Sequence, residues 1–294
     1  MFIPPGFVQR SVVLALGTVA YVEADPDFWP SPAADSVPLL FIHGFGGGSS
    51  SFEWSKVYPA FAAHPLMAPD LIGWGQSDHP DHPFSTADYL ALLAELLAQC
   101  PQPPVVVASS LSAAMMVRVA IDHPDRLRGL FLVAPAGLAD FGHNPQESVI
   151  NQIVKLPFVD QLLYRGAIAT SEGIRLFLTQ RQFADASKIA DDIVAAYLES
   201  AQQTSADVAA LAFVRGDLSF DLAAYLPQLT TPTAIVWGEM AQLTPVEIGH
   251  RLAALNPAAI RRFEMLPGVG LTPHLEQPGV TTGLIQQLLS DLGC

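Results

Sequence analysis

Short runs of consecutive hydrophobic residues alternate along this chain with longer stretches in which hydrophobic residues recur every three or four positions. The runs are rich in Val, Ile and Leu, as expected for strands that are buried on both faces. They predict strands at residues 37–42, 105–109, 127–134, 233–238 and 261–266. The periodic stretches predict helices at residues 86–100, 115–121 and 281–292, and after Pro245. The alternation predicts an α/β fold with a doubly wound, mostly parallel sheet.

Two regions depart from this alternation. Residues 11–24 predict two short strands that form a hairpin, and the proline-rich residues 26–38 predict a surface connection. From about residue 138 to residue 216 the pattern is helical throughout. We therefore predict a core made of residues 1–137 and 217–294, with a helical insertion at residues 138–216.

Composition limits the kinds of partner. The chain has 294 residues and a net charge of −14 without a basic cluster, so nucleic acid and anionic membrane surfaces are not expected to bind. Cys100 and Cys294 are the only cysteines, which indicates a reducing compartment without a disulfide framework. The hydrophobic run at residues 12–16 is too short to span a bilayer. A cytoplasmic location is therefore expected.

The most informative stretch is residues 105–114, where a valine-rich strand ends in small residues and a helix follows at once. A serine at such a sharp turn stands above the sheet, close to the free backbone N–H groups at the start of the helix. Ser110 occupies this position and is the candidate nucleophile. The alternative is an ordinary strand–helix turn with a capping serine.

Ala108-Ser109-Ser110-Leu111-Ser112 resembles the Gly-x-Ser-x-Gly nucleophile elbow of the α/β-hydrolase fold superfamily, and both glycines are replaced by other small residues. The resemblance extends over nearly all of the chain outside the helical insertion and is strongest with the capped, esterase- or haloalkane-dehalogenase-like branch. It implies that residues 138–216 form a cap over the site. It also implies an oxyanion hole made by the N–H groups of Phe45, in His43-Gly44-Phe45, and of Leu111.

The resemblance fails at the other two members of the catalytic triad. The family's acid follows the penultimate strand in a Trp-Gly-x-x-Asp segment, where this chain has Ala241 after Trp237-Gly238. The family's base stands in a Pro-Gly-x-Gly-His segment, where this chain has Leu271 after Pro267 to Gly270. Neither side chain can carry a proton, so Ser–His–Asp hydrolysis is not expected.

Other residues could replace the missing groups. His274 is a candidate base three residues beyond Leu271, although the family usually has a structural histidine there. Asp140 is a candidate acid because it follows the strand after the elbow, where some relatives carry theirs. Further alternatives are Glu239, His43 and His143.

The substitutions at residues 241 and 271 also make the floor of the site apolar, which predicts a pocket for a small apolar molecule with one carbonyl or hydroxyl group. The cap residues that could line this pocket are Phe141, Phe158, Leu162, Phe177 and Phe213. The leading hypothesis is a pseudoenzyme or ligand-binding protein that needs no cofactor or metal. The alternatives are a serine hydrolase of acyl substrates with a relocated base and acid, and an isomerase, lyase or cyclase that uses the oxyanion pocket.

Overall fold

The computed structural model describes residues 2–142 and 164–294. Eight strands form one sheet. In chain order they are β1 (Phe7–Leu14), β2 (Gly17–Ala24), β3 (Leu39–Ile42), β4 (Leu66–Pro69), β5 (Val105–Ser109), β6 (Gly129–Val133), β7 (Thr233–Gly238) and β8 (Ile260–Leu266).

Eight α-helical segments accompany the sheet in the described part of the chain. In chain order they are α1 (Thr86–Gln99), α2 (Ser110–Asp122), α3 (Ser171–Phe177), α4 (Asp191–Ala201), α5 (Ala206–Val214), α6 (Val246–Ala254), α7 (Pro273–Glu276) and α8 (Pro278–Asp291). None of these helices is long and apolar enough to cross a membrane.

The strand order is β1-β2-β4-β3-β5-β6-β7-β8. Strand β2 pairs antiparallel with both β1 and β4, and all other neighbouring strands pair in parallel. The predicted doubly wound, mostly parallel sheet is therefore confirmed. Sequence patterning missed β4, a four-residue strand that ends at a proline and is too short to show a pattern of its own.

Strand β5 lies at the centre of the sheet, and every one of its residues is buried. Its neighbours β3 and β6 are also buried throughout, since helices cover both faces of a parallel sheet. The carboxyl ends of parallel strands meet at one edge of the sheet, where such folds bind their ligands. The segments that follow β3, β5, β7 and β8 are therefore brought to the same edge.

The predicted cap leaves and re-enters the core at adjacent points. The Phe220 N–H donates to the Gly137 carbonyl at 2.8 Å, and the Ala139 N–H donates to the Phe220 carbonyl at 3.3 Å. Leu138 and Phe220 form an isolated parallel bridge. Helices α3, α4 and α5 all lie between these two crossings, so this geometry is compatible with a cap at residues 138–216.

Candidate active site

The structure places Ser110 at the junction of β5 and α2. Its φ of +56° lies in the left-handed region, whereas the preceding Ser109 is extended at φ −123°. For a residue with a side chain, this conformation costs about 1–2 kcal/mol. The Ser112 hydroxyl donates to the His43 carbonyl and so fixes the start of α2 to the segment after β3. The predicted sharp turn from strand to helix is confirmed, and the role of Ser110 as a nucleophile stays a prediction.

The segment after β3 is held in place by the ring of His43. Nε2 of His43 accepts the Leu71 N–H at 2.9 Å, which leaves Nδ1 to donate to the Gly44 carbonyl at 2.7 Å. Within residues 2–142 and 164–294, no acceptor binds the N–H group of Phe45 or of Leu111. As far as the described residues go, both N–H groups are available, as the predicted oxyanion hole requires.

The segments after β7 and β8 meet, and both are apolar where a triad would be polar. The Met240 N–H donates to the Val269 carbonyl at 2.8 Å, which joins the two segments just before Ala241 and Leu271. Both of these residues are buried. The Leu271 N–H donates to the Gln182 carbonyl at 2.6 Å, so the predicted cap closes over this side.

His274 lies in the interior. Its side chain is fully buried and stacks on Trp54 with 4.2 Å between the ring centroids. Its Nε2 atom lies 3.9 Å from Oε2 of Glu53, and neither ring nitrogen has a hydrogen-bond partner among the described residues. The structure therefore pairs His274 with Glu53.

Asp140, the candidate acid, binds backbone N–H groups where the predicted cap joins the core. Its Oδ2 accepts the N–H groups of Gly137 and Leu138, and its Oδ1 accepts that of Leu222 at 2.8 Å. Burial raises the pKa of Asp140 despite these bonds. The contacts favour an anchoring role for this carboxylate.

Of the remaining alternatives, Glu239 and His43 make structural contacts in the described part of the chain. Glu239 accepts the Gly268 N–H at 3.0 Å, which gives it a structural contact in the segment after β8. His43 has both ring nitrogens engaged, as described above. His143 lies outside the described residues.

Sequence reasoning missed Glu53, a buried carboxylate in the short 3₁₀ helix Ser51–Trp54. Its Oε2 accepts the Gly44 N–H at 2.9 Å, and its Oε1 accepts the Tyr197 O–H at 3.0 Å. Burial by itself would raise the pKa of this group, but His274, His43 and Ser49 together outweigh that effect and lower the pKa to about 2. The site thus contains a carboxylate that stays ionised.

Tyr197 joins Glu53 to the predicted cap. Its hydroxyl lies 3.0 Å from Oε1 of Glu53 and 3.1 Å from Oε1 of Gln182. A hydroxyl has one proton, and burial raises the pKa of Tyr197 well above its usual value, so the proton stays. With Glu53 ionised, Tyr197 donates to the carboxylate and the Gln182 amide turns its NH₂ group to the tyrosine oxygen.

Two of the aromatic residues proposed to line the pocket lie beside the segment after β3. A methyl group at Gly46 would be 3.6 Å from the Phe177 ring, and the Phe213 ring centroid is 6.4 Å from that of Phe45. Phe141 instead packs against the guanidinium of Arg251. Phe158 and Leu162 lie outside the described residues.

A cavity of about 640 Å³ lies between the hairpin β1–β2, the proline-rich connection and the end of α1. Its lining includes Trp29, His64 and Cys100, and includes neither Ser110 nor Glu53. The apolar pocket expected under the cap stays a prediction.

Comparison with known proteins places this architecture in context. The family model described as "Alpha/beta hydrolase family" matches residues 39–282. Lipase 3 of Moraxella sp. is 26% identical over 289 residues, which cover 91% of this chain and 80% of the lipase. The pimeloyl-[acyl-carrier protein] methyl ester esterase of Edwardsiella ictaluri is 24% identical over 254 residues, covering 85% of this chain and 92% of the esterase.

Among solved structures, a serine hydrolase involved in carbazole degradation superposes with a TM-score of 0.75 at 22% identity. The superposition covers 97% of this chain and 99% of that hydrolase, so the two proteins share their fold. Together with the family model, which spans the sheet from β3 to α8, this leads to one conclusion. The chain belongs to the alpha/beta hydrolase family.

Proposed function

We propose that this protein binds a small, largely apolar molecule at the nucleophile elbow and does not use Ser–His–Asp hydrolysis. The ligand places a carbonyl oxygen against the N–H groups of Phe45 and Leu111. One observation carries the proposal: these two donors are unengaged by the described residues, while the acid and base positions are the buried Ala241 and Leu271.

The expected loss of hydrolysis is large. A positioned general base contributes about 10²–10⁴ to a rate, and removal of the histidine of a serine protease triad slows turnover by about 10⁶. The candidate replacements have other contacts, since His274 is stacked on Trp54 and Asp140 binds three backbone N–H groups. An unassisted Ser110 hydroxyl stays protonated and attacks esters poorly.

A second candidate function is acyl hydrolysis with His274 as a relocated base and Glu53 as its carboxylate. The 3.9 Å approach of His274 Nε2 to Glu53 Oε2 favours it, and relatives such as Lipase 3 are named as hydrolases. It ranks below the binding function because the imidazole is buried under Trp54.

The test combines catalysis with binding. For catalysis we measure p-nitrophenyl butyrate hydrolysis and fluorophosphonate labelling of the wild type, Ser110→Ala and the surface control Ser290→Ala. We expect hydrolysis close to the buffer rate, equal in all three proteins within about twofold, because no base activates the serine. Rapid labelling of Ser110, with hydrolysis that is lost in Ser110→Ala and in His274→Gln, would establish the hydrolase instead.

For binding we compare 2-octanone with octane by calorimetry. The ketone should bind about tenfold more tightly, because its oxygen gains two backbone donors in a site from which water is excluded. Equal binding of the two compounds, or no binding of either, would show that the oxyanion donors do not anchor a ligand.

A further inference from the structure

We propose that Glu53 and Ser109 recognise a hydroxyl group of the ligand beside the carbonyl oxygen held by Phe45 and Leu111. The ligand class is then a hydroxyketone with an apolar body, rather than a simple ketone or an ester. This inference rests on the proposed function and names the kind of molecule that the same site selects.

The first argument is the meeting of three groups at Gly44. A methyl group at Gly44 would lie 3.2 Å from the Ser109 Oγ, 3.5 Å from the Ser110 Cβ and 3.6 Å from the Glu53 Oε2. Because Gly44 has no side chain, the carboxylate and the two elbow serines border one common space. Gly44 also directly precedes Phe45, so this space adjoins the proposed oxyanion donors.

The second argument is the hydrogen-bonding capacity that remains around Glu53. A carboxylate offers about four acceptor positions. Gly44 and Tyr197 use two of them, and Nε2 of His274 lies 3.9 Å from Oε2, beyond hydrogen-bond distance. The Ser109 Oγ, which is buried, has no hydrogen-bond partner among the described residues. Buried polar groups are almost always paired, so an unpaired hydroxyl beside an ionised carboxylate calls for a polar group of a ligand.

A hydroxyl group is the ligand group that fits both. It donates its proton to Glu53 and accepts the proton of the Ser109 hydroxyl through its own oxygen. A second carbonyl or an ether oxygen would satisfy Ser109 but would face the carboxylate with a lone pair. An alkyl group would leave both unsatisfied.

The state of Glu53 separates recognition from catalysis. Its pKa of about 2 makes the carboxylate a weak base. A general base works best when its pKa lies near the operating pH. Glu53 therefore binds a proton donor of the ligand and is not expected to remove a proton from carbon.

The experiment compares 1-hydroxy-2-octanone with 2-octanone by calorimetry on the wild type, Glu53→Gln and the surface control Ser290→Ala. We expect the wild type and Ser290→Ala to bind the hydroxyketone about tenfold more tightly than the ketone, since hydrogen bonds to charged groups are among the stronger ones. In Glu53→Gln the preference for the hydroxyketone over the ketone, both measured on the same protein, should fall to about twofold or less.

Glu53→Gln is chosen because its hydrogen bonds can be completed. The new amide oxygen accepts the Gly44 N–H, and the new NH₂ group donates to the Tyr197 hydroxyl oxygen. Tyr197 then donates to Oε1 of Gln182, which lies 3.1 Å from the hydroxyl oxygen in the wild-type structure. If this variant does not fold, Ser109→Ala provides the second test, with the hydroxyketone preference expected to fall about threefold.

The outcomes separate this inference from the function on which it rests. An undiminished preference for the hydroxyketone in Glu53→Gln or in Ser109→Ala would overturn the inference. So would equal binding of both ketones by the wild type, although tighter binding of 2-octanone than of octane would still support the proposed function. Failure of both ketones to bind more tightly than octane would overturn the proposed function itself.

Discussion

The two sides of the site differ in how many features of a serine hydrolase site they contain. On the side of β3 and β5, Ser110 stands on a strained turn, the N–H groups of Phe45 and Leu111 are unengaged within the described residues, and Glu53 supplies a buried charge. On the side of β7 and β8, the positions of the acid and the base in a hydrolase triad are taken by the buried Ala241 and Leu271, and neither side chain can move a proton. The first side is polar, and the two triad positions on the second side are apolar.

The difference follows from which part of the chain makes each feature. The elbow and the oxyanion donors are backbone features that the sheet and small neighbouring residues impose, so they tolerate changes of side chain. General acid and base groups are single side chains at the ends of strands, and one substitution removes each of them without cost to the core. A hydrolase scaffold can therefore lose its proton transfer and keep its ligand-binding geometry.

The largest expected effect comes from placing an acid and a base at the two apolar triad positions. We expect Ala241→Asp combined with Leu271→His to raise p-nitrophenyl butyrate hydrolysis at least about 100-fold, since a positioned base contributes about 10²–10⁴. The two segments already meet through the Met240 N–H and the Val269 carbonyl, so the new carboxylate and imidazole can pair. Initial rates of the wild type, both single variants and the double variant provide the measurement.

The control for this restoration is the triple variant that also carries Ser110→Ala, which should return to the wild-type rate. Each single variant buries an unpaired polar group at a cost of about 1–3 kcal/mol, so the double variant should lose less stability than the singles predict together. A folded double variant without any gain in rate would mean that the elbow side is also unsuited to hydrolysis.

The side of β3 and β5 illustrates what the sequence could and could not predict. The elbow was predictable because its residues are contiguous and because a buried strand that turns into a helix leaves a local pattern. Glu53 was not predictable, because its hydrogen-bond partner Tyr197 is 144 positions away and nothing local distinguishes it from a solvated acid in a first helical turn. For the same reason the closure of Gln182 over Leu271 left no signal, since a backbone contact has no sequence pattern.

A second prediction concerns how tightly each side is packed. A methyl group at Gly270 would lie 2.2 Å from the Gln182 carbonyl oxygen and 2.7 Å from the Ala184 nitrogen, which are backbone atoms of the predicted cap. Gly270→Ala should therefore destabilise the protein by about 3 kcal/mol, because the backbone on both sides must move. At Gly44 the nearest atoms are side chains at 3.2 Å or more, and Gly44→Ala should cost less than about 1 kcal/mol.

Urea unfolding of Gly270→Ala, Gly44→Ala and the control Gly279→Ala measures this contrast. Gly279 has no atom within 4 Å of the added methyl group, so its variant reports only the effect of alanine on the chain. Equal stability of Gly270→Ala and Gly279→Ala would show that the predicted cap does not press on the segment after β8.

The smallest expected effect is a change in the free energy of unfolding with pH, and it comes from the protonation of Glu53 on the polar side. Its pKa is about 2 in the folded protein against 4.5 for a free glutamate, so below pH 4.5 the unfolded chain binds a proton that the folded chain does not. The stability that the ionised carboxylate contributes is complete above pH 4.5 and is lost as the pH falls towards 2. Between pH 6 and pH 3 the wild type should lose about 2 kcal/mol relative to Glu53→Gln.

The comparison with Glu53→Gln reports the titration of Glu53 together with its coupling to the buried His274. Burial raises the pKa of Asp140, which gives that group the opposite pH dependence, but it is present in both proteins and cancels in the difference. The measurement is the free energy of unfolding in urea at pH 6, 5, 4 and 3. A constant difference between the two proteins would mean that Glu53 titrates normally. A wild type that gains stability relative to Glu53→Gln as the pH falls would mean that Glu53 is protonated in the fold, and Tyr197 would then donate to Gln182 rather than to a carboxylate.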